Sequence, residues 1–471
     1  MASNGRTRQR SSRRRTTRTA AAFSCAVLFA TAPASWVSAA SSPSPSPSPT
    51  TASAAPSSVV AGLNAAAPTP VPAAVAAALA GPLGDATFGG RVGGLVLDAT
   101  TGGVLWSSRP DEALPPASLT KLLTAAAALI TLGPADQPVT QLLTTGSVTA
   151  GRLDGDLVLR GGGDVLLAAD PTGAWPARAT VDQLAAGLKA TGVLAVDGRL
   201  VADGSYFAGP SIAASWDPTY VTGGSVAPVT ALGVDEAGAA TGKGDRSADP
   251  RREAAVAFRA ALTRAGIAVS GTTVLADAPA GARVLASVAG TPVLAEVEEM
   301  LQNSDNDMAE SLGRRIALKR GLPATFAGAG AAVKAAIDGL GIPTAGVSLV
   351  DASGLSHDDR VSPSTIAALL RIAAIPSDAG GNTALRPVLD GLAISAFEGT
   401  LAPRYRTAAS VLGGGVVRAK TGALAGVSSL AGSVVDADGR QLLFVWISDA
   451  VRSRSSAEGA LDAAATALSA L

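Results

Sequence analysis

Short apolar runs of strand length open the readable part of the chain. Arg91 to Asp98 (RVGGLVLD) and Val104 to Ser108 (VLWSS) flank Ala99-Thr100-Thr101-Gly102-Gly103, which has the composition of a turn, so a β-hairpin is predicted. Next, Leu114-Pro115-Pro116-Ala117 leads into SLTKLLTAAAALITLG, where Leu122, Leu123, Ala126, Leu129 and Ile130 mark a mostly apolar helix stopped by Gly133-Pro134, with Ser118 at its start. Between Thr144 and about Pro279 the pieces are short, strand-like and rich in Gly and Asp (DGDLVLRGGGD, VDGRLVADGSYF), with one helix from Arg251 to Ala265. This stretch reads as inserted material. A helical region resumes from Pro292 to Arg320, broken near Ser304-Asp305-Asn306, and another runs from Thr325 to Leu340. The last part, VVRAKTG, VSSLAGSVV and RQLLFVWIS around Asp436-Ala437-Asp438-Gly439, reads as strands, and Ala457 to Leu471 as a closing helix. Strands at both ends with helices between predict an α+β fold with one mixed sheet assembled from N- and C-terminal segments.

The N-terminus departs from this pattern. Arg6, Arg8, Arg10, Arg13, Arg14, Arg15 and Arg18 precede an apolar stretch, Ala20 to Ala34, followed by Val37-Ser38-Ala39, whose small residues suit cleavage of an export signal. The competing readings are a retained anchor and a basic tail. Loss of residues 1–39 removes seven of the 37 Lys plus Arg and none of the 37 Asp plus Glu, leaving a chain near −7. That balance disfavours nucleic acid as a partner. Cys25, the only cysteine, falls inside the signal, so a mature chain has no disulfide, cysteine nucleophile or thiolate metal site. Residues 40–72 are dominated by Ser, Pro, Ala and Thr, which cannot bury a core; the segment is either a tether or a leader without a role. The domain reading is therefore signal peptide 1–39, linker 40–72, a first part of the main domain 73–143, a β-rich insertion 144–284 and a second part 285–471.

Three strings carry the chemistry: Ser118-Leu119-Thr120-Lys121, Ser304-Asp305-Asn306 and Lys420-Thr421-Gly422, in an order used by serine enzymes of acyl transfer. Positions i and i+3 face the same way on a helix, so Lys121 can take the proton of Ser118 provided burial or a neighbouring cation holds the amine neutral. Lys420 is a candidate for that cation. Ser304 would relay a proton toward a leaving amine, and Asn306 would hold either Lys121 or the substrate carbonyl. Lys420 and Thr421, on a strand edge, suit a terminal carboxylate. Gly422 lets a backbone approach closely, and the N–H of Ala423 would join that of Ser118 as an oxyanion donor. Each string alone is weak; the ordered set is not. His357, the only histidine, would have to serve any Ser-His-Asp triad, no Gly-x-Ser-x-Gly elbow is present, and Gly161-Gly162-Gly163-Asp164 and Gly242-Lys243-Gly244 lack the ending of a phosphate loop and read as turns.

With these motifs and the strings PASLTKLLTAAAAL, GDLVLRGGGD, LQNSDNDMAESLGR, DASGLSHDDRVSP, FEGTLAPR and RAKTGALAGVSSLAG, the chain resembles the D-alanyl-D-alanine carboxypeptidase/endopeptidase family of low-molecular-mass penicillin-binding proteins, in the branch with inserted material. The resemblance implies a penicillin-binding-protein/serine β-lactamase-like transpeptidase domain. It also implies an exported enzyme, located in the cell wall or outside the cell with peripheral envelope association, that removes terminal D-Ala from peptidoglycan stem peptides, cleaves cross-links and is a target of β-lactam antibiotics. No metal or cofactor is implied. By the same resemblance Ser118 is the acyl nucleophile, Lys121 the base, Ser304 and Asn306 relay and holder, and Lys420, Thr421 and Gly422 the binders of carboxylate and edge strand. Asp203, in VADGSYF, resembles an aspartate of the inserted region that meets the amine of a diamino acid. Four positions depart from the family pattern: Ala352 for the usual Gly, Asp359 for Asn, Glu398 for Asp and Ala423 for Thr or Ser. The rival readings are a β-lactamase or esterase with the same Ser-Lys pair, and a non-catalytic wall-binding module.

Overall fold

The computed structural model describes residues 66–170, 176–238 and 246–471. The export signal, most of the linker, Cys25 and Gly242-Lys243-Gly244 lie outside the described residues. The fold is α+β, as expected. Its main sheet has six antiparallel strands in the order Ala393–Ile394, Val417–Leu424, Val427–Val435, Gln441–Ser448, Gly93–Asp98 and Val104–Ser108. The hairpin near the N-terminus joins the C-terminal strands through Gly93–Asp98, which pairs with Gln441–Ser448 in a register that sets Gly94 opposite Trp446.

The strand Gln441–Ser448 explains how the sheet is held. Its residues are apolar on both faces, which is what a strand covered on both sides requires. Leu443, Val445 and Ile447 pack with the helices Thr120–Thr131, Val293–Asn303, Asn306–Lys319, Phe326–Asp338 and Pro363–Ala374. Leu442, Phe444 and Trp446 pack on the other side with Pro72–Leu83 and Arg454–Ser469. The helix Pro363–Ala374 has a recognisable start, Ser362 accepting the Thr365 N–H with Pro363 in the first turn, but its apolar period was not singled out in the sequence.

The inserted region contributes two further sheets, a mixed one of five strands and a smaller one of four. Its entry and exit are adjacent: Val139–Thr144 pairs antiparallel with Arg283–Ala289, Gln141 opposite Ser287. Both strands run across the boundaries expected at 144 and 284, because pairing and not composition decides where the insertion begins. The region also has two long helices rather than one. Pro250–Arg264 matches the expectation; Val181–Ala190 was missed, although Thr180 and Gln183 form a reciprocal capping box at its start.

Candidate active site

Ser118 sits in a 3-10 turn, Ala117–Leu119, that runs directly into the helix Thr120–Thr131. In a 3-10 turn residues i and i+3 eclipse, which aligns Ser118 with Lys121. Lys121 Nζ is 3.0 Å from Ser118 Oγ. The turn is entered under strain: Ala117 has φ +50°, a left-handed backbone that a residue with a Cβ rarely adopts. Packing over-determines it. The Pro116 carbonyl accepts the Ser429 hydroxyl at 2.9 Å, and Leu114 exchanges backbone hydrogen bonds with Val361.

The Lys121 side chain is completely buried, and its amine has two further partners. Nζ donates to Asn306 Oδ1 at 2.6 Å and to the backbone carbonyl of Ser353 at 2.7 Å. The Asn306 amide is oriented by its other side, since Nδ2 donates to the Ser225 carbonyl at 2.8 Å and therefore turns Oδ1 toward the lysine. Asp305 starts the helix Asn306–Lys319 by accepting the Met308 N–H at 2.7 Å, and its other oxygen takes Arg246 at 2.8 Å. Arg246 also lies 3.3 Å from Asp307, which accepts the Ala227 N–H. The middle residue of Ser304-Asp305-Asn306 is thus the one that fixes the other two in space.

Ser353 was not anticipated. It belongs to a tightly bonded loop in which Asp351 accepts the N–H groups of Ser353, Gly354 and Ser356, and Glu310 accepts those of Ala352 and Ser353. Gly354, at φ +83°, crosses so near the nucleophile turn that an added Cβ would lie 2.0 Å from the Ala117 carbonyl oxygen. Ala352 is accommodated by a second glycine: a Cβ at Gly313 would fall 2.5 Å from the Ala352 methyl.

Burial pushes Lys121 down to about 8, while the negative charges of Asp351, Asp305, Glu310 and Asp307 act in the opposite sense. Lys420 is also completely buried, with Nζ donating to the Thr421 carbonyl at 2.9 Å. Burial and then Lys121 hold it well below the ordinary lysine range. Burial therefore works against the charge that the sequence analysis placed on Lys420 beside Lys121. Two ammonium groups in one buried site are unfavourable. Thr421 Oγ1 donates to Thr400 Oγ1 at 2.9 Å. The strand Val417–Leu424 is an edge where it matters, because Ala393–Ile394 covers only Ala419 and Arg418 and leaves Lys420 onward unpaired on that side. Gly422 leaves no room for a side chain, its Cβ position being 2.2 Å from Ser429 Oγ, and Ala423 lies opposite Ser428. Ser304 closes the preceding helix in the left-handed region, at φ +60°.

Asp203 is placed differently from the expectation. It is completely buried at the end of the strand Leu200–Asp203; Oδ1 accepts the Ser205 N–H at 2.8 Å, and Oδ2 is 3.4 Å from Arg160 Nε. Its partner at ion-pair distance there is Arg160. The part of the insertion that does reach the site is the loop after it. Trp216 Nε1 donates to Asp351 Oδ2 at 2.7 Å, Ser356 Oγ to Ser215 Oγ at 2.8 Å, and Ser225 holds Asn306. Asp217, next to Trp216, is exposed.

The chain matches the family described as D-Ala-D-Ala carboxypeptidase 3 (S13) over residues 75–242 and 233–470. It is 38% identical over 383 residues to a carboxypeptidase of Mycobacterium tuberculosis, covering 80% of each chain. It is 37% identical over 380 residues to carboxypeptidase DacB of Mycolicibacterium smegmatis, covering 79% of each. Among solved structures it is similar to penicillin binding protein 4 (dacB) from Haemophilus influenzae, with a TM-score of 0.68 at 23% identity over 80% of this chain and 95% of that one. The Haemophilus protein has also been solved with a β-lactam.

Two outcomes follow from this geometry. Gly354→Ala should lower stability by at least about 1–3 kcal/mol, from the left-handed backbone and the clash with Ala117, seen as a lower melting temperature. An unchanged melting temperature would show that the two loops are not in contact. Asp203→Asn should cost about 1–3 kcal/mol by leaving Arg160 without its counter-charge, and should depress turnover of all substrates alike. A loss confined to substrates with a free side-chain amine would return Asp203 to substrate binding.

Proposed function

The chain belongs to the D-Ala-D-Ala carboxypeptidase 3 (S13) family, and from that membership we propose that it removes terminal D-Ala through an acyl-enzyme at Ser118. The observation that carries this reading is the set of three partners around Lys121 Nζ. A neutral amine has two hydrogens and one lone pair. The Asn306 and Ser353 oxygens can only accept, so they take the two hydrogens, and the lone pair is left facing the one partner that can give a proton, the Ser118 hydroxyl.

On this reading Ser118 Oγ attacks the penultimate D-Ala carbonyl as its proton passes to Lys121, and the N–H groups of Ser118 and Ala423 receive the oxyanion. The substrate lies along the open side of Lys420–Leu424 as an added strand, while Gly422, by lacking a side chain, leaves room for Ser429 and the Pro116-Ala117 turn that carries Ser118. Its terminal carboxylate meets Lys420 and Thr421. A carboxylate arriving there stabilises the ammonium form of Lys420 and so moves the single comfortable charge off Lys121, leaving the base neutral when substrate is in place. The Ser304 hydroxyl relays a proton to the departing amine of D-Ala, and water then hydrolyses the ester. Peptide cross-links are the second substrate, and β-lactams, one of which the Haemophilus relative binds, acylate the same serine.

The proposed substrate lies outside the membrane, in agreement with the basic stretch, apolar run and Val37-Ser38-Ala39 at the N-terminus. Sequencing of the protein recovered from outside the cell should begin near Ala40. Full-length protein confined to the cytoplasm would contradict export.

The catalytic reading predicts a pH profile. The second-order rate of acylation should rise with pH toward about 8, as free Lys121 loses its proton. Lys121→Met should lower that rate by roughly a hundredfold or more and flatten the profile. Acylation of Lys121→Met at the wild-type rate would place the base elsewhere.

A further inference from the structure

Behind the Lys121 amine lies a second buried cluster, made of Glu310, Asp351 and Asp359, all with no exposed surface. Asp351 is the acceptor of this group. Its Oδ1 receives the N–H groups of Ser353 and Gly354 at 3.1 and 2.6 Å, and its Oδ2 those of Ser356 and the Trp216 indole at 2.8 and 2.7 Å. Asp359 is provided for on one side only. Its Oδ1 accepts the Val350 N–H at 2.6 Å, whereas Oδ2 is buried and no N–H or hydroxyl reaches it. The neighbour it meets is Asp351, with which its side chain hydrogen-bonds. Two carboxylates form such a bond only with a proton between them, and Asp351 already faces N–H donors on both oxygens.

We infer that Asp359 is held as the neutral acid and donates its proton to Asp351, which makes it a positioning residue for the loop whose Ser353 carbonyl holds Lys121. The inference rests on the reading of Lys121 as the base. It also accounts for a departure noted in the sequence, Asp359 where the family usually has Asn. A protonated aspartate presents the same pattern as an amide, one donor toward Asp351 and one oxygen toward the Val350 N–H. A carboxylate in that place would instead be a buried charge without a partner, beside a second carboxylate.

The groups facing Asp359 act together. Burial and Asp351 drive it well above the ordinary carboxylate range, and Glu310, itself pushed up to about 8 by burial and Asp351, adds to this. The cations nearest the cluster are Lys121, in front of the Ser353 carbonyl, and Arg314, beside Glu310. Arg360 donates to the carbonyls of His357 and Asp359 rather than to the carboxyl groups, and His357 and Asp358 are exposed.

The test is the melting temperature of the full chain at several values between about pH 4 and pH 8, for wild type, Asp359→Asn and Asp359→Ala, with the rate of Ser118 acylation by penicillin beside it. For an acid whose folded pKa lies above its unfolded value of about 3.9, the associated stability is complete below that value and is lost as pH rises toward the folded pKa. Asp359→Asn removes that loss. The variant should therefore gain on wild type progressively from about pH 4 upward, and acylate within about threefold of wild type. Asp359→Ala, which can neither donate nor accept, should melt lower than Asp359→Asn throughout and acylate at least about tenfold more slowly. A difference between Asn and wild type that stays constant with pH would show that Asp359 is ionised and overturn the proposal, as would full acylation by Asp359→Ala. If no form were acylated, the base assignment would fail, while the pH dependence of melting would still decide the state of Asp359.

Discussion

Everything at this site is arranged around one buried primary amine. Lys121 Nζ has three oxygen partners, and two of them cannot give a proton. That asymmetry points the lone pair of a neutral lysine at Ser118 without any further device. It also sets the demands on the fold. Asn306 must present an amide oxygen, which requires the helix break that Asp305 and Arg246 hold. Ser353 must present a carbonyl, which requires the loop that Asp351 and Glu310 bind through four backbone N–H groups, that of Ser353 shared between them.

Burying the amine costs stability that the rest of the domain must offset. A lysine taken from 10.5 to about 8 corresponds to roughly 3 kcal/mol at 1.36 kcal/mol per unit, a sizeable part of the 5–15 kcal/mol typical of a whole domain. Left-handed backbone at Ala117 and Ser304 adds to that cost. The offsetting packing comes from both ends of the chain. Gln441–Ser448 buries one row of apolar side chains against the helices that carry Lys121 and Asn306, and the opposite row against the terminal helices. The insertion contributes directly, because its Trp216 and Ser225 bond the same two loops that hold the amine.

The sequence was informative where function is local. Ser118 and Lys121 share one turn, so their spacing alone predicts their contact, and the final strands and helix appear in the pattern within a few residues of where they form. Ser353 was not legible because its contribution is a backbone carbonyl, which any residue type supplies. The burial of Asp203 was not legible for a related reason: an aspartate before glycine at a strand end reads the same whether it faces solvent or, as here, Arg160. Trp216 gave no sign of its partner, since 135 residues separate it from Asp351. The helix Val181–Ala190 was legible in Thr180 and Gln183, but its short amphipathic stretch was lost among Gly-rich strands. Burial works against one electrostatic expectation: Lys420, expected as the cation that acts on Lys121, is held well below the ordinary lysine range.

The central claim, that Ser118 is the acylated nucleophile, is tested most directly by peptide mapping of the penicillin-treated protein. The account predicts that the added mass is carried by the peptide containing Ser118-Leu119-Thr120-Lys121 and is lost when Ser118 is replaced by Ala. An adduct on any other peptide, or one that persists in Ser118→Ala, would contradict it.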